Sequence, residues 1–182
     1  KVSTALIDLW AKVMHEVPGS RFLIRNNQLS SKDNRDFMAS RFRRFGIDAS
    51  RLTILGGTDR KTILKCYDEI DVSLDTWPYC GGNTVAESLW QGVPLVTLKT
   101  DRFSGRYGAS LLMVAGCGEL IANSRDEYVA LATALALSPE RLKNYRTSLR
   151  SLARSNGLAD AAAFAAKLDA AYLAMMQRLH SK

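Results

Sequence analysis

The sequence predicts an α/β protein built on a parallel sheet with helices on both faces. Two observations predict it. Short β-branched and apolar runs alternate with stretches whose apolar residues recur every three or four positions, so strand and helix rhythms take turns along the chain. Glycine or proline stands at most of the changes of rhythm, where one element ends and another starts. Alternation of this kind joins parallel strands through helical crossovers.

In chain order, residues 3–17 read as a helix with Leu6, Trp10, Val13, Met14 and Val17 on one face, ended by Pro18 and Gly19. Phe22-Leu23-Ile24 is a short buried strand. Ser30 to Phe45 is a helix stopped by Gly46, in which Phe37, Met38, Phe42 and Phe45 form a core-facing stripe. Its basic residues Arg35, Arg41, Arg43 and Arg44 make a solvated face. Residues 52–55 are the next strand, broken by Gly56-Gly57, and Asp59 to Asp68 is a helix that buries Ile63, Leu64 and Tyr67. Ile70, Val72 and Leu74 give a third strand that ends at Asp75. A helical rhythm then begins at Val85, Ala86, Leu89 and Trp90, Gly92 closes it, and 93–98 is again a strand. Phe103 to Gly116 is helical, with Leu111, Leu112 and Val114 toward the core, and Leu120-Ile121 is a brief strand. Ser124-Arg-Asp-Glu127 is a capping box opening a helix to Leu137. Ser138-Pro139 sets a cap and a first-position proline before another. Residues 159–179 form a last, alanine-rich helix with Phe164, Leu168, Tyr172 and Met175 on one face. No repeat or low-complexity linker interrupts the chain, so residues 1–182 read as one domain.

The composition, 47% hydrophobic and 24% charged, is that of an ordinary soluble globular protein. No apolar run approaches the ~20 residues that cross a bilayer, and no signal-peptide pattern opens the chain. Cys66, Cys80 and Cys117 are scattered, odd in number and lack a C-x-x-C pair, which argues for a reducing cytoplasm and against a disulfide framework or zinc site. The net charge of +7 invites a nucleic-acid reading. No zinc-finger spacing or base-stacking motif accompanies it, and a basic surface equally suits an anionic diphosphate or an acidic neighbouring domain. Lys1, set directly before a helix and without a Met, is expected to begin a piece of a longer protein.

Residues 70–96 carry most of the chemistry. Here a strand passes through a proline and two glycines into the start of a helix. The first backbone N–H groups of a helix have no intrahelical partner, and the helix dipole adds partial positive charge. A phosphate is stabilised at such a place without a metal. Gly81 and Gly82 let a ligand approach the backbone closely. Asn83 or Thr84 can cap the helix and reach a phosphate oxygen. Glu87, one turn in, can accept from a ribose diol. The same Thr84-Val-Ala-Glu87 also fits a capping box in which Glu87 serves only its own helix, and the pattern leaves both readings open. Ligands of parallel sheets bind beyond the carboxyl ends of the strands. That rim is expected to gather Gly56, Gly57, Thr58 and Arg60 from one loop, Gly81 to Glu87 from a second, and Lys99, Asp101, Arg102 and Arg106 from a third.

Four blocks, 71–76, 81–96, 104–106 and 116–122, with the opening ten residues and the Val-Pro-Gly-Ser turn at 17–20, resemble the C-terminal catalytic half of the O-linked N-acetylglucosamine transferases. The similarity is to bacterial and SPINDLY-type members, which are often fused to tetratricopeptide repeats. It covers nearly the whole chain. The resemblance implies the Rossmann-like, nucleotide-sugar-binding half of a GT-B glycosyltransferase, with helices from about 139 to 180 packing on it or on an N-terminal half. It further implies transfer of N-acetylglucosamine from UDP-N-acetylglucosamine to protein Ser or Thr hydroxyls, with inversion and without a metal or other cofactor. Matched position by position, the diphosphate loop falls on Gly81, Gly82, Asn83 and Thr84, and the ribose carboxylate on Glu87. The phosphate-binding lysine falls on Lys1, which would stabilise the departing diphosphate, and a basic residue near the nucleoside falls on Arg60. The sequence departs at Ile63, where the family often has a histidine near the nucleotide, and at Asn83, where the loop often has a threonine.

His15 and His180 lie on helices away from the rim, and the chain offers no general base. The acceptor site is expected elsewhere in the protein, so these residues alone are expected to bind UDP weakly and to transfer nothing. Two rival readings share the loop: an epimerase acting on nucleotide-diphosphate sugars, and a non-catalytic binding domain with a degenerate nucleotide site.

Overall fold

A computed structural model describes residues 2–180, with the side chain of His180 excepted. The chain runs α1 (Thr4–Glu16), β1 (Phe22–Arg25), α2 (Lys32–Arg43), β2 (Leu52–Leu55), α3 (Arg60–Lys65), β3 (Ser73–Leu74), α4 (Asn83–Trp90), β4 (Leu95–Leu98), α5 (Tyr107–Ala115), β5 (Ile121–Ala122), α6 (Arg125–Ala136), α7 (Pro139–Ser155) and α8 (Ala161–His180). Every strand pair is parallel. The strands do not form one continuous ladder, however. β1 pairs with β2, and β3, β4 and β5 pair in that order.

A shared core joins the two ladders. Trp10 of α1 lies against Phe22 of β1, with ring centroids 5.0 Å apart, and its indole N–H donates to the Tyr128 hydroxyl of α6 at 3.3 Å. Tyr128 is fully buried and donates in turn to the backbone carbonyl of Asp75 at the tip of β3, 3.0 Å away. Burial of its aromatic ring is affordable because its hydroxyl is paired at both ends. Leu6, Ile7, Leu9, Val13 and Met14 fill the rest of the α1 interface. β4 is buried throughout, whereas every residue of β1 and β2 is half-buried.

Most helix starts follow the expected chemistry. Ser3, Ser31, Asp59 and Ser124 each accept a backbone N–H through the side chain at the head of α1, α2, α3 and α6. Ser138 makes no such bond, and Pro139 alone marks the start of α7. The core assignments need correction: the strand at 22–24 is half-buried, and two residues are exposed outright. Phe37 on α2 is exposed, since Met38 and Phe42 already turn toward α1 and the sheet, and Val114 on α5 is exposed beside the buried Leu112 and Ala115. Ile63, Leu64 and Tyr67 are half-buried, because α3 ends at Lys65 and continues as a 3-10 turn over 66–69. α7 packs on α4, α5 and α6 through buried Leu149 and Ala153. On α8, Phe164, Leu168, Tyr172 and Met175 share an exposed face. No helix among the described residues is long and apolar enough to cross a membrane.

Candidate functional site

The site is built at the tip of β3. Asp75 follows the strand and is 5% exposed. Its Oδ1 accepts from the backbone N–H groups of Thr76 and Gly81, both at 2.8 Å, and its Oδ2 accepts from the Thr97 hydroxyl of β4 at 2.7 Å. The carboxylate therefore closes the excursion through Trp77, Pro78 and Tyr79, whose Trp77–Pro78 peptide is cis. Cys80 holds the far side: its N–H and its thiol both donate to the Ser104 carbonyl, and its sulfur accepts from the Gly108 N–H at 3.3 Å. Burial pushes the Cys80 thiol up, so it stays protonated and serves as packing.

The loop delivers the chain to α4 with an open end. Gly82 is the cap residue and supplies no side-chain bond. The first bonds of the helix run from the Val85 and Ala86 N–H groups to the Gly82 carbonyl. The N–H groups of Asn83 and Thr84 precede them in the exposed first turn. The capping box read at Thr84-Val-Ala-Glu87 does not form. Thr84 is already inside the helix, and Glu87 turns toward α3, where its Oε1 lies 3.0 Å from Nη1 of Arg60. Glu87 is 15% exposed and Arg60 73%, so the carboxylate is fixed and the cation free to move. Tyr67 completes the join, its hydroxyl donating to the Thr84 carbonyl at 3.3 Å. Desolvation, with the Glu87 charge beside it, pushes the Tyr67 phenol up to about 12, so it remains a donor.

The other two loops are used differently from the sequence expectation. Gly56 and Gly57 do not open the backbone to a ligand. A Cβ at Gly56 would stand 2.8 Å from the Ser30 Cα, and one at Gly57 2.1 Å from the Asn27 side-chain oxygen, so these glycines allow the turn before α2 to pack. The third loop clasps the second: the Thr100 N–H donates to the Gly105 carbonyl, and a Cβ at Gly105 would strike Thr100 Oγ1 and the Pro78 carbonyl. Trp77, Leu98, Lys99, Asp101, Asn123 and Arg125 border an open cleft of about 460 Å³, in which the Arg125 guanidinium lies over the Trp77 ring at 4.4 Å.

Of the residues singled out in the sequence, Arg60, Gly81, Gly82, Asn83, Thr84 and Glu87 come together around the start of α4. Lys1 lies outside the described residues. Gly81 has a different role from the one its lack of a side chain suggested. Its N–H is taken by Asp75, and a Cβ there would stand 2.1 Å from Thr84 Oγ1. The amides that precede the first helical bonds, in the exposed first turn, are those of Asn83 and Thr84. His15 donates through Nε2–H to the Phe45 carbonyl, 2.8 Å away, as a packing residue. Asp75, Tyr67 and Thr97 were missed. An aspartate closing the strand rhythm just ahead of a glycine loop was the one available signal.

The family model described as Glycosyl transferase family 41 matches residues 1–168. A Petunia hybrida protein described as a probable UDP-N-acetylglucosamine–peptide N-acetylglucosaminyltransferase SPINDLY is 34% identical over 98% of this chain and 19% of its own length. A Caenorhabditis elegans UDP-N-acetylglucosamine–peptide N-acetylglucosaminyltransferase is 30% identical over 88% of this chain and 14% of its own. The chain thus spans about a fifth or less of the length of these relatives. Among solved structures, a mutant O-GlcNAc transferase from Thermobaculum terrenum superposes with a TM-score of 0.89 at 34% identity, covering 94% of this chain and 33% of that one.

Proposed function

This chain belongs to glycosyl transferase family 41, and from that premise we propose that it is the donor-binding half of an inverting, metal-independent glycosyltransferase. The donor is UDP-N-acetylglucosamine and the acceptor a protein Ser or Thr hydroxyl. The observation that carries the reading is the uncapped start of α4, exposed beyond the tip of β3 with Glu87 turned aside to Arg60.

In this reading the pyrophosphate lies across the Asn83 and Thr84 amides, where two orphan donors and the helix dipole favour an anion. Glu87 accepts from the ribose diol, and Arg60 swings between Glu87 and the nucleoside. The acceptor oxygen attacks the anomeric carbon, the bond to the diphosphate oxygen breaks, and configuration inverts. Charge develops on the departing diphosphate, and donors aimed at that charge lower the barrier; loss of one such donor typically costs on the order of a hundred-fold in rate. Lys1 is assigned to the same charge. The acceptor proton leaves to a base outside this chain, in the N-terminal half or the tetratricopeptide repeats of a cytoplasmic enzyme. Product analysis of the intact protein with UDP-N-acetylglucosamine, a peptide acceptor and a metal chelator tests the reading. Glycosylated peptide is expected; an epimerised sugar nucleotide, or unchanged substrates, would overturn it.

A further inference from the structure

We infer that Asp75 is a positioning residue for the donor site, the buried latch that sets the glycine loop so that the amides at the start of α4 face the ligand. The inference rests on the proposed diphosphate site and adds to it a residue that need not touch the ligand. Asp75 reaches across six positions of chain to hold the Gly81 N–H, and across to β4 to hold Thr97, so one side chain fixes the loop to two strands at once. Glycines pack close against it. A Cβ at Gly108 would stand 2.4 Å from Asp75 Oδ2, and one at Gly81 3.3 Å from Oδ1, so a glycine on each side makes room for this carboxylate. A carboxylate accepting backbone N–H bonds forms the stronger, charge-assisted kind. Its backbone is fixed as well, through Val96 and Tyr128, so the latch is mounted on the core and not on a mobile loop.

The chemistry of the latch is specific. By taking the Gly81 N–H, Asp75 removes that donor from the ligand and turns the next peptides outward; the anion is met by Asn83 and Thr84. An asparagine of the same shape can still accept from Gly81 and Thr76 through Oδ1, while its amide donates to the Thr97 hydroxyl, which can accept. Alanine leaves the buried Gly81 N–H and the half-buried Thr76 N–H without this acceptor. Thr97→Val severs only the side-chain tie to β4.

The test compares wild type, Asp75→Ala, Asp75→Asn and Thr97→Val in the intact protein, by amide hydrogen exchange over residues 80–84 and calorimetry with UDP. Asp75→Ala is expected to lose protection at Gly81 and to weaken UDP about tenfold, the scale of an orphaned buried amide. Asp75→Asn should keep the protection and stay within about threefold of wild type, because its acceptor is retained. Thr97→Val should lower thermal stability yet leave Gly81 protection and UDP affinity in place. If Asp75→Ala keeps Gly81 protected, or weakens UDP no more than Thr97→Val does, Asp75 is only a structural residue. If wild type binds no UDP, the donor-site reading fails, and the Gly81 exchange still decides whether the latch exists.

Discussion

Two helix starts in this chain carry the same four-residue signal and end up opposite. Ser124-Arg-Asp-Glu127 and Thr84-Val-Ala-Glu87 both spell a capping box, and both follow a strand of the same ladder. At α6 the start closes: Ser124 Oγ accepts from the Glu127 N–H at 3.1 Å, and Glu127 Oε2 reaches one residue past the cap to accept from the Asn123 N–H at 2.7 Å. At α4 the helix begins two residues earlier than that box would place it, Gly82 occupies the cap position, and the glutamate leaves for Arg60. One start satisfies itself and the other stays open. The difference lies in what surrounds the signal: Asp75 pins Gly81, and Gly82 follows without a side chain to fold back.

The comparison can be broken most severely by closing the open start. Gly82 has a negative φ and open space where a Cβ would stand. Gly82→Asp should therefore cap α4 and place a carboxylate where the diphosphate belongs. Transfer by the intact protein is expected to fall on the order of a hundred-fold, while the unfolding temperature holds or rises; undiminished kcat/KM would refute the assignment of the anion to α4. Next comes the carboxylate that left its box. Glu87→Gln should weaken UDP by about tenfold, one lost charge-assisted bond, with little change in stability because its partner Arg60 is exposed. Calorimetry and a thermal melt read the two effects separately.

The closed start gives the converse. Ser124→Ala should cost about 1 kcal/mol of stability, the usual cost of a lost cap, and leave UDP affinity alone. Denaturant titration alongside the same calorimetry checks it. The smallest effect is at α3, whose start is closed by Asp59. Bonds from the Thr62 hydroxyl first, and then its backbone N–H, hold the Asp59 carboxyl below the ordinary 3.8. Its folded value being depressed, the contribution of this cap is fully present above the ordinary carboxylate range and is lost only as pH falls through the lowered value. The Thr62 amide resonance should stay constant from neutral pH down to about 4 and move below it.

How much of this could be read beforehand divides along the range of the interactions. The order of helices and strands, the parallel pairing and the Ser124 cap of α6 follow from neighbours in sequence and stand as expected, while β3 shrinks to Ser73–Leu74, α3 to Arg60–Lys65 and α5 starts only at Tyr107. Local rules failed where a distant residue intervened. Gly56 and Gly57 read as a ligand turn, yet Ser30 and Asn27 pack against them. The Thr84 cap was displaced by a latch that begins at Asp75, and Phe37 lost its place in the core because Met38 and Phe42 fill it. The division of the strands into two ladders likewise has no signature in apolar spacing, which reports burial and not partners. Glycines and caps pointed to the residues that gather around the start of α4; the Asp75 bonds that hold them have no such local signal.

The sharpest measurement follows amide exchange at residues 82–84 with and without UDP, in the presence of a chelator, with uridine as the control. Protection of Asn83 and Thr84 by UDP and not by uridine is the expected result. UDP binding that leaves these two amides unchanged would contradict the placement of a diphosphate at the open end of α4.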